Sequence, residues 1–98
     1  MAKVIVWNKT ARKQFYAIVE YLETERSIQV AENFVKILDT KLRVLSRQPG
    51  IGRKAVKAKT VRYINLTKKY RLFYRVKGNQ LIVVKFFGTR QSPDKSPF

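Results

Sequence analysis

Apolar and polar positions along this chain change period twice, from a short strand to helix and then back to strand. Lys3 to Trp7, KVIVW, is a β-branched run and predicts a strand. No hairpin turn follows it, so its pairing partner must be distant in sequence. Asn8 or Thr10 can cap a helix, because either side-chain oxygen can accept from an otherwise unpaired first-turn amide. Ala11, Phe15, Ile18 and Leu22, with Val19 beside them, then fall on one helical face. Thr24-Glu25-Arg26-Ser27 breaks that stripe, and Ser27 can cap a second helix with apolar positions Ala31, Phe34, Val35, Leu38, Leu42 and Leu45. Pro49-Gly50 ends it.

Ile51 to Thr60 has no apolar period and reads as a loop leading into a sheet, with the GIGR that begins at Gly50 a turn. From Val61 to Phe87 the chain reads as one β-meander. Gly78-Asn79 is a pair favoured in a two-residue hairpin loop, since both residues tolerate positive φ. A reversal there pairs Val76 with Leu81, Arg75 with Ile82, Tyr74 with Val83, Phe73 with Val84 and Arg71 with Phe86. One face then carries Tyr70, Leu72, Tyr74, Val76, Leu81, Val83 and Phe87, interrupted by Lys85, and is the face to bury. The other carries Arg71, Phe73, Arg75 and Lys77. At the rise of a strand, Arg71 and Arg75 stand roughly 13 Å apart.

Two amphipathic helices with so short a link form an antiparallel hairpin, and the apolar face of the meander is large enough to cover it. The expected fold is α+β in the order β-α-α-β-β-β, a helical hairpin packed on one face of a small antiparallel sheet. With 98 residues it is one domain, residues 1–98. Gly88, Pro93 and Pro97 end regular pairing, and the tail is expected to lie across or beside the sheet.

Charge changes the picture more than composition does. The chain has 22 basic against 6 acidic residues, a formal charge of +16, and something acidic should bind it. Glu20, Glu23, Glu25, Glu32 and Asp39 all precede residue 40, and the next acid is Asp94; 15 basic residues lie between them. The positive field therefore belongs to the sheet region. Cysteine is absent, which removes disulfides and thiolate metal sites and fits a reducing cytoplasm. Neither a signal peptide nor a stretch of roughly 20 apolar residues is present, so no membrane association is expected.

Without histidine or cysteine, and with carboxylates not clustered at ligand spacing, no metal or cofactor is expected, and histidine-based triads are excluded. Basic and phenolic groups remain. Arg62, Arg71, Arg75 and Arg90, with Lys57, Lys59, Lys68 and Lys69 and the phenols of Tyr63, Tyr70 and Tyr74, can bind phosphates or stabilise a charged transition state, and Arg71, Phe73, Arg75, Lys68 and Lys69 are candidates for binding a target or a nucleic acid. Phe73, between two arginines, could stack on a base or be covered. A general base is lacking, because arginine keeps its proton and tyrosine or lysine needs a large shift. Binding is better supported than catalysis.

The strand ending in Trp7, the helical run with Phe15, Ile18 and Tyr21-Leu22, the loop Gln48-Pro49-Gly50-Ile51-Gly52-Arg53, Val61-Arg62, the strand Tyr70 to Val76 and Gly88-Thr89-Arg90-Gln91 resemble the RelE/ParE superfamily of bacterial toxins, nearly end to end. The resemblance implies the toxin of a toxin–antitoxin, or plasmid stabilisation, module held inactive by a small cognate antitoxin, and the charge of +16 makes an acidic antitoxin the expected partner. The superfamily contains inhibitors of DNA gyrase and ribosome-dependent messenger RNA endonucleases. For the nuclease branch, a metal-independent endoribonuclease acting on ribosome-bound mRNA, it implies phosphate contacts at Arg62, Arg71 and Arg90. Two departures weigh against that branch: Ile64 stands at its second basic position, and Ser96 and Phe98 stand where a tyrosine or histidine would move a proton. The reading leans to gyrase inhibition. RNA cleavage is the alternative, and a non-toxic basic nucleic-acid-binding module a second one.

Overall fold

A computed structural model of the chain describes residues 2–88. The element order is β1 (Val4–Trp7), α1 (Lys9–Glu25), α2 (Ile28–Arg47), a 3-10 turn (Pro49–Ile51), β2 (Arg53–Lys54), β3 (Arg62–Asn65), β4 (Tyr70–Lys77) and β5 (Gln80–Gly88). The five strands form one sheet in the order β1-β5-β4-β3-β2. All pairings are antiparallel except the outermost, where β1 runs parallel to β5. The sheet is therefore mixed, with the distant partner of β1 being the last described strand. The segment read as a loop before the meander begins at the last residue of the 3-10 turn and holds the two-residue β2.

Local chemistry sets the helix limits. Asn8 Oδ1 accepts from Ala11 N–H at 2.8 Å and starts α1. Ser27 Oγ accepts from Val30 N–H at 3.1 Å and starts α2, so the hairpin link is two residues. The stripes face the sheet: Ala11, Leu22, Ala31, Phe34, Leu38, Leu42 and Leu45 are buried, with Phe15, Ile18 and Val19 packed against them. Val35, assigned to the α2 stripe from spacing, lies at its margin and is exposed.

The hairpin turn falls at Gly78-Asn79, between paired Lys77 and Gln80, but only Gly78 takes a positive φ, of 57°. A glycine at the first central position is the pattern of a type II′ turn. Val76–Leu81, Arg75–Ile82 and Tyr74–Val83 pair as the sequence predicts. Beyond them the register slips by one at a β-bulge: Phe73 pairs with Lys85, Leu72 with Phe86 and Arg71 with Phe87. The expected pairs Phe73–Val84 and Arg71–Phe86 are thus replaced.

The bulge exchanges two aromatics between the faces. Phe86, not Phe87, enters the main core, with ring centroids 5.7 Å from Trp7 and 6.5 Å from Phe34. Phe87 and Val84 turn to the other face. Lys85 no longer interrupts the apolar side, since its partner Phe73 belongs to the opposite one. β1 ends at Trp7, opposite Val83, so β5 has no strand on that edge beyond the bulge. There Gln14 of α1 takes over, its Oε1 accepting from Phe86 N–H at 2.8 Å. Val76, expected in the buried set, is 40% exposed near the hairpin end of the sheet.

Candidate functional site

Tyr74 and Arg62 face each other across β4 and β3, on the helix side of the sheet. Both grip the turn after α2. The Tyr74 hydroxyl donates to the Pro49 carbonyl at 2.6 Å and accepts from Gly52 N–H at 2.9 Å. Gly52 must be glycine, because a Cβ there would overlap the phenol ring. Arg62 Nη1 donates to the Gly52 carbonyl at 2.7 Å and reaches the Gly50 carbonyl at 3.4 Å. Burial raises the Tyr74 pKa above its ordinary value, opposed by the Gly52 hydrogen bond and the Arg62 charge. That phenol stays protonated at neutral pH. Arg62, one of the expected phosphate contacts, spends its guanidinium on orienting a loop.

Arg71 is on the other face. It pairs with Asn65, three positions along the ladder from the Arg62–Tyr74 pair, and that odd number reverses the side from which it projects. Its Nε donates to Asn65 Oδ1 at 3.2 Å, and its guanidinium carbon sits 4.3 Å from the centroid of the Tyr63 ring. Such stacking fixes a flat cation while leaving its terminal N–H groups outward. Arg62 and Arg71 therefore do not converge on one ligand. Arg90 lies outside the described residues, as does the tail expected to cross the sheet.

Phe73 does not present a stacking platform. It is fully buried, covered on the face away from the helices by Ala55 and Val61, with Ala58, Tyr63, Val84 and Phe87 around it. A second small core thus fastens the loop between β2 and β3 to the sheet, and this loop separates Arg71 from Arg75 along β4. The two arginines share a side, as the alternation requires, but not an open surface. Arg75 and Lys77 are exposed toward the hairpin end.

Lys68 and Lys69 belong to the turn between β3 and β4. They border an apolar groove at the end of the helical hairpin, where two adjoining cavities of 330 and 210 Å³ share Leu22, Arg26, Lys69 and Tyr70. Sequence reading missed this groove, because its walls come from three separated segments. It missed Arg53 and Lys41 for the same reason: with Arg71 they line a cleft beside β3. Only the charge of Arg53 and Lys54 in a short irregular segment hinted at it. Among the described residues no helix is long and apolar enough to cross a membrane.

A two-helix hairpin on one face of a five-stranded mixed sheet, with cations ranged over the sheet and its edge, is the architecture of RelE/ParE superfamily toxins. The chain belongs to the ParE branch by family: the model described as ParE toxin of type II toxin-antitoxin system, parDE, matches residues 5–93. Solved structures agree on the fold. The chromosomal ParDE TA system from P. aeruginosa superposes with a TM-score of 0.75 at 19% identity, covering 89% of this chain and 96% of that one. A YoeB/ParE toxin from Agrobacterium tumefaciens gives 0.65 at 18%, with 87% and 96% covered. The YoeB dimer from Staphylococcus aureus gives 0.64 at 18%, with 87% and 94% covered. Among curated proteins none matches.

Proposed function

We propose that this ParE-family toxin inhibits DNA gyrase by binding rather than by cutting RNA, and that an acidic cognate antitoxin holds it inactive. The observation that carries the reading is the separation of Arg62 from Arg71 onto opposite faces of the sheet, with Arg62 turned onto the Pro49–Gly52 turn. A phosphoryl-transfer site needs cations and a proton acceptor around one reacting group. Here the cations diverge, and burial raises the pKa of Tyr74, away from acting as a base. Arg71 and Arg75 remain as target contacts on the outer face.

The antitoxin reading rests on charge and shape. Five of the six acidic residues lie on the helical hairpin or its link, and the net charge is +16, so an acidic partner gains both affinity and association rate. The groove at the end of the helical hairpin has an apolar floor with Arg26, Lys68 and Lys69 on its rim, which suits an amphipathic acidic segment. The cytoplasm, where gyrase works, is the matching compartment, and stabilisation of a plasmid is the matching role.

Purified toxin added to gyrase at stoichiometric amounts should block supercoiling or trap cleaved DNA, and Arg71→Ala should weaken that effect. Cleavage of messenger RNA on programmed ribosomes, abolished by Arg71→Ala in a folded protein, would replace this reading with the nuclease one.

A further inference from the structure

Over Phe73 on the outer face, residues 55–61 form a small closed lobe. Ala55 N–H donates to the Val61 carbonyl at 2.8 Å and Val61 N–H to the Ala58 carbonyl at 3.0 Å, so the loop is tied to itself at its neck. Ala55 and Val61 are buried on Phe73, whose ring is flanked by Tyr63 and Phe87 with centroids 5.8 and 6.4 Å away. The apolar positions 55, 58 and 61 thus turn toward the sheet, and position 56 turns out. Val56 is 93% exposed, where the next most exposed large hydrophobics, Tyr16 and Ile28, reach 64%.

A single surface valine carries no message of its own. This one differs in what supports it and in what surrounds it. Its backbone is fixed by the neck of the lobe and by the Phe73 contact, and a β-branched side chain has few rotamers to lose, so docking would order little that is not already ordered. Lys54, Lys57 and Lys59 are exposed beside it, and no acidic residue occurs in the chain between Asp39 and Asp94. The lobe stands between Arg71 and Arg75 along β4, so the apolar tip has cations on its own loop and further cations to either side. An apolar centre within a charged rim is the anatomy of a protein–protein contact. A nucleic-acid backbone would be served by the cations alone and makes no use of an aliphatic tip.

We propose that the 55–61 lobe docks on an acidic protein surface of gyrase, and not on the DNA that gyrase holds, with Val56 entering an apolar recess and Lys57 and Lys59 meeting carboxylates around it. This rests on the gyrase reading above and adds to it the contacting element and the chemistry of what it touches.

The purified chain is titrated onto the A and B subunits of gyrase separately, without DNA, by biolayer interferometry, and onto a labelled DNA duplex by anisotropy. Val56→Ser should weaken binding to one subunit about tenfold, the loss that follows from leaving one aliphatic side chain unburied. Val56→Asp sets a carboxylate against carboxylates and should lose more, while Val56→Ile should stay within about twofold of wild type. Lys57→Gln combined with Lys59→Gln should slow association and reduce its dependence on salt. Val44→Ser and Ile28→Ser, at exposed apolar positions of α2, should change binding less than about twofold. Val56→Ser should leave affinity for the duplex unchanged, and its thermal melt should match that of wild type because the side chain it removes packs on nothing. If wild type binds neither subunit, the gyrase reading and this contact fall together. If wild type binds a subunit and Val56→Ser binds it as well, this contact alone is overturned and the gyrase reading stands. A loss of duplex binding by Val56→Ser as large as its loss on the subunit would assign the lobe to nucleic acid and also overturn the proposal.

Discussion

The hydroxyl of Tyr74 and the backbone of Gly52 lie in contact so close that a methyl group at position 52 would overlap the phenol ring, and the pair is joined by a 2.9 Å hydrogen bond. Because the same hydroxyl donates to Pro49, one side chain from the centre of the sheet holds both ends of the turn that carries the chain from α2 to β2. Tyr74→Phe should cost about 1–3 kcal/mol, since it leaves the buried Gly52 amide and the half-buried Pro49 carbonyl unpaired. Gly52→Ala should cost a similar ~1–3 kcal/mol by overpacking. The two changes should be non-additive by more than about 0.5 kcal/mol in a double-mutant cycle, as measured by urea denaturation.

Alkaline pH should attack the same contact. The folded pKa of Tyr74 is raised above its ordinary value of 10, chiefly by burial, so its contribution is fully present below pH 10 and declines as pH rises toward and through the folded pKa. The slope attributable to this group approaches about 1.4 kcal/mol per pH unit. Stability profiles of the wild type and Tyr74→Phe should therefore converge above that pH, and profiles that stay parallel would contradict the assignment.

Phe73 should matter for folding and not for the target. Phe73→Ala removes the anchor of the loop over the outer face and should cost about 3–5 kcal/mol. Phe73→Leu keeps most of the volume, should cost less than about 1.5 kcal/mol, and should leave inhibition per folded molecule unchanged. Thermal denaturation alongside a supercoiling assay tests both parts; inhibition lost by folded Phe73→Leu would restore a direct contact.

At the bulge, Gln14→Ala should cost about 1–3 kcal/mol by leaving Phe86 N–H without its acceptor. Gln14→Glu keeps an acceptor oxygen and should recover most of that loss at neutral pH. Hydrogen exchange at Phe86 is the direct readout: fast in the alanine variant, slow in the glutamate one.

Helix positions, their caps, the Gly78 hairpin, and the side of the sheet to which Arg71 and Arg75 point were all legible in the chain. Each depends on neighbours within a few residues, through side-chain period, first-turn hydrogen bonds or a turn requiring positive φ. Phe86, Phe73 and Arg62 mark where that reading ends. Strict alternation has no means of registering an extra residue, and the bulge forms where β1 has run out and a glutamine from a helix can serve the edge of β5. Burial of Phe73 required residues 55–61, which have no period of their own, to fold over a face that alternation marks as polar. The direction of Arg62 follows from its pairing with Tyr74 and from carbonyls of a turn ten residues earlier. Local periodicity determined the elements of this protein and the sign of its field; only the packed sheet decided which cations meet, because strand register and loop coverage are settled by contacts between segments far apart in the sequence.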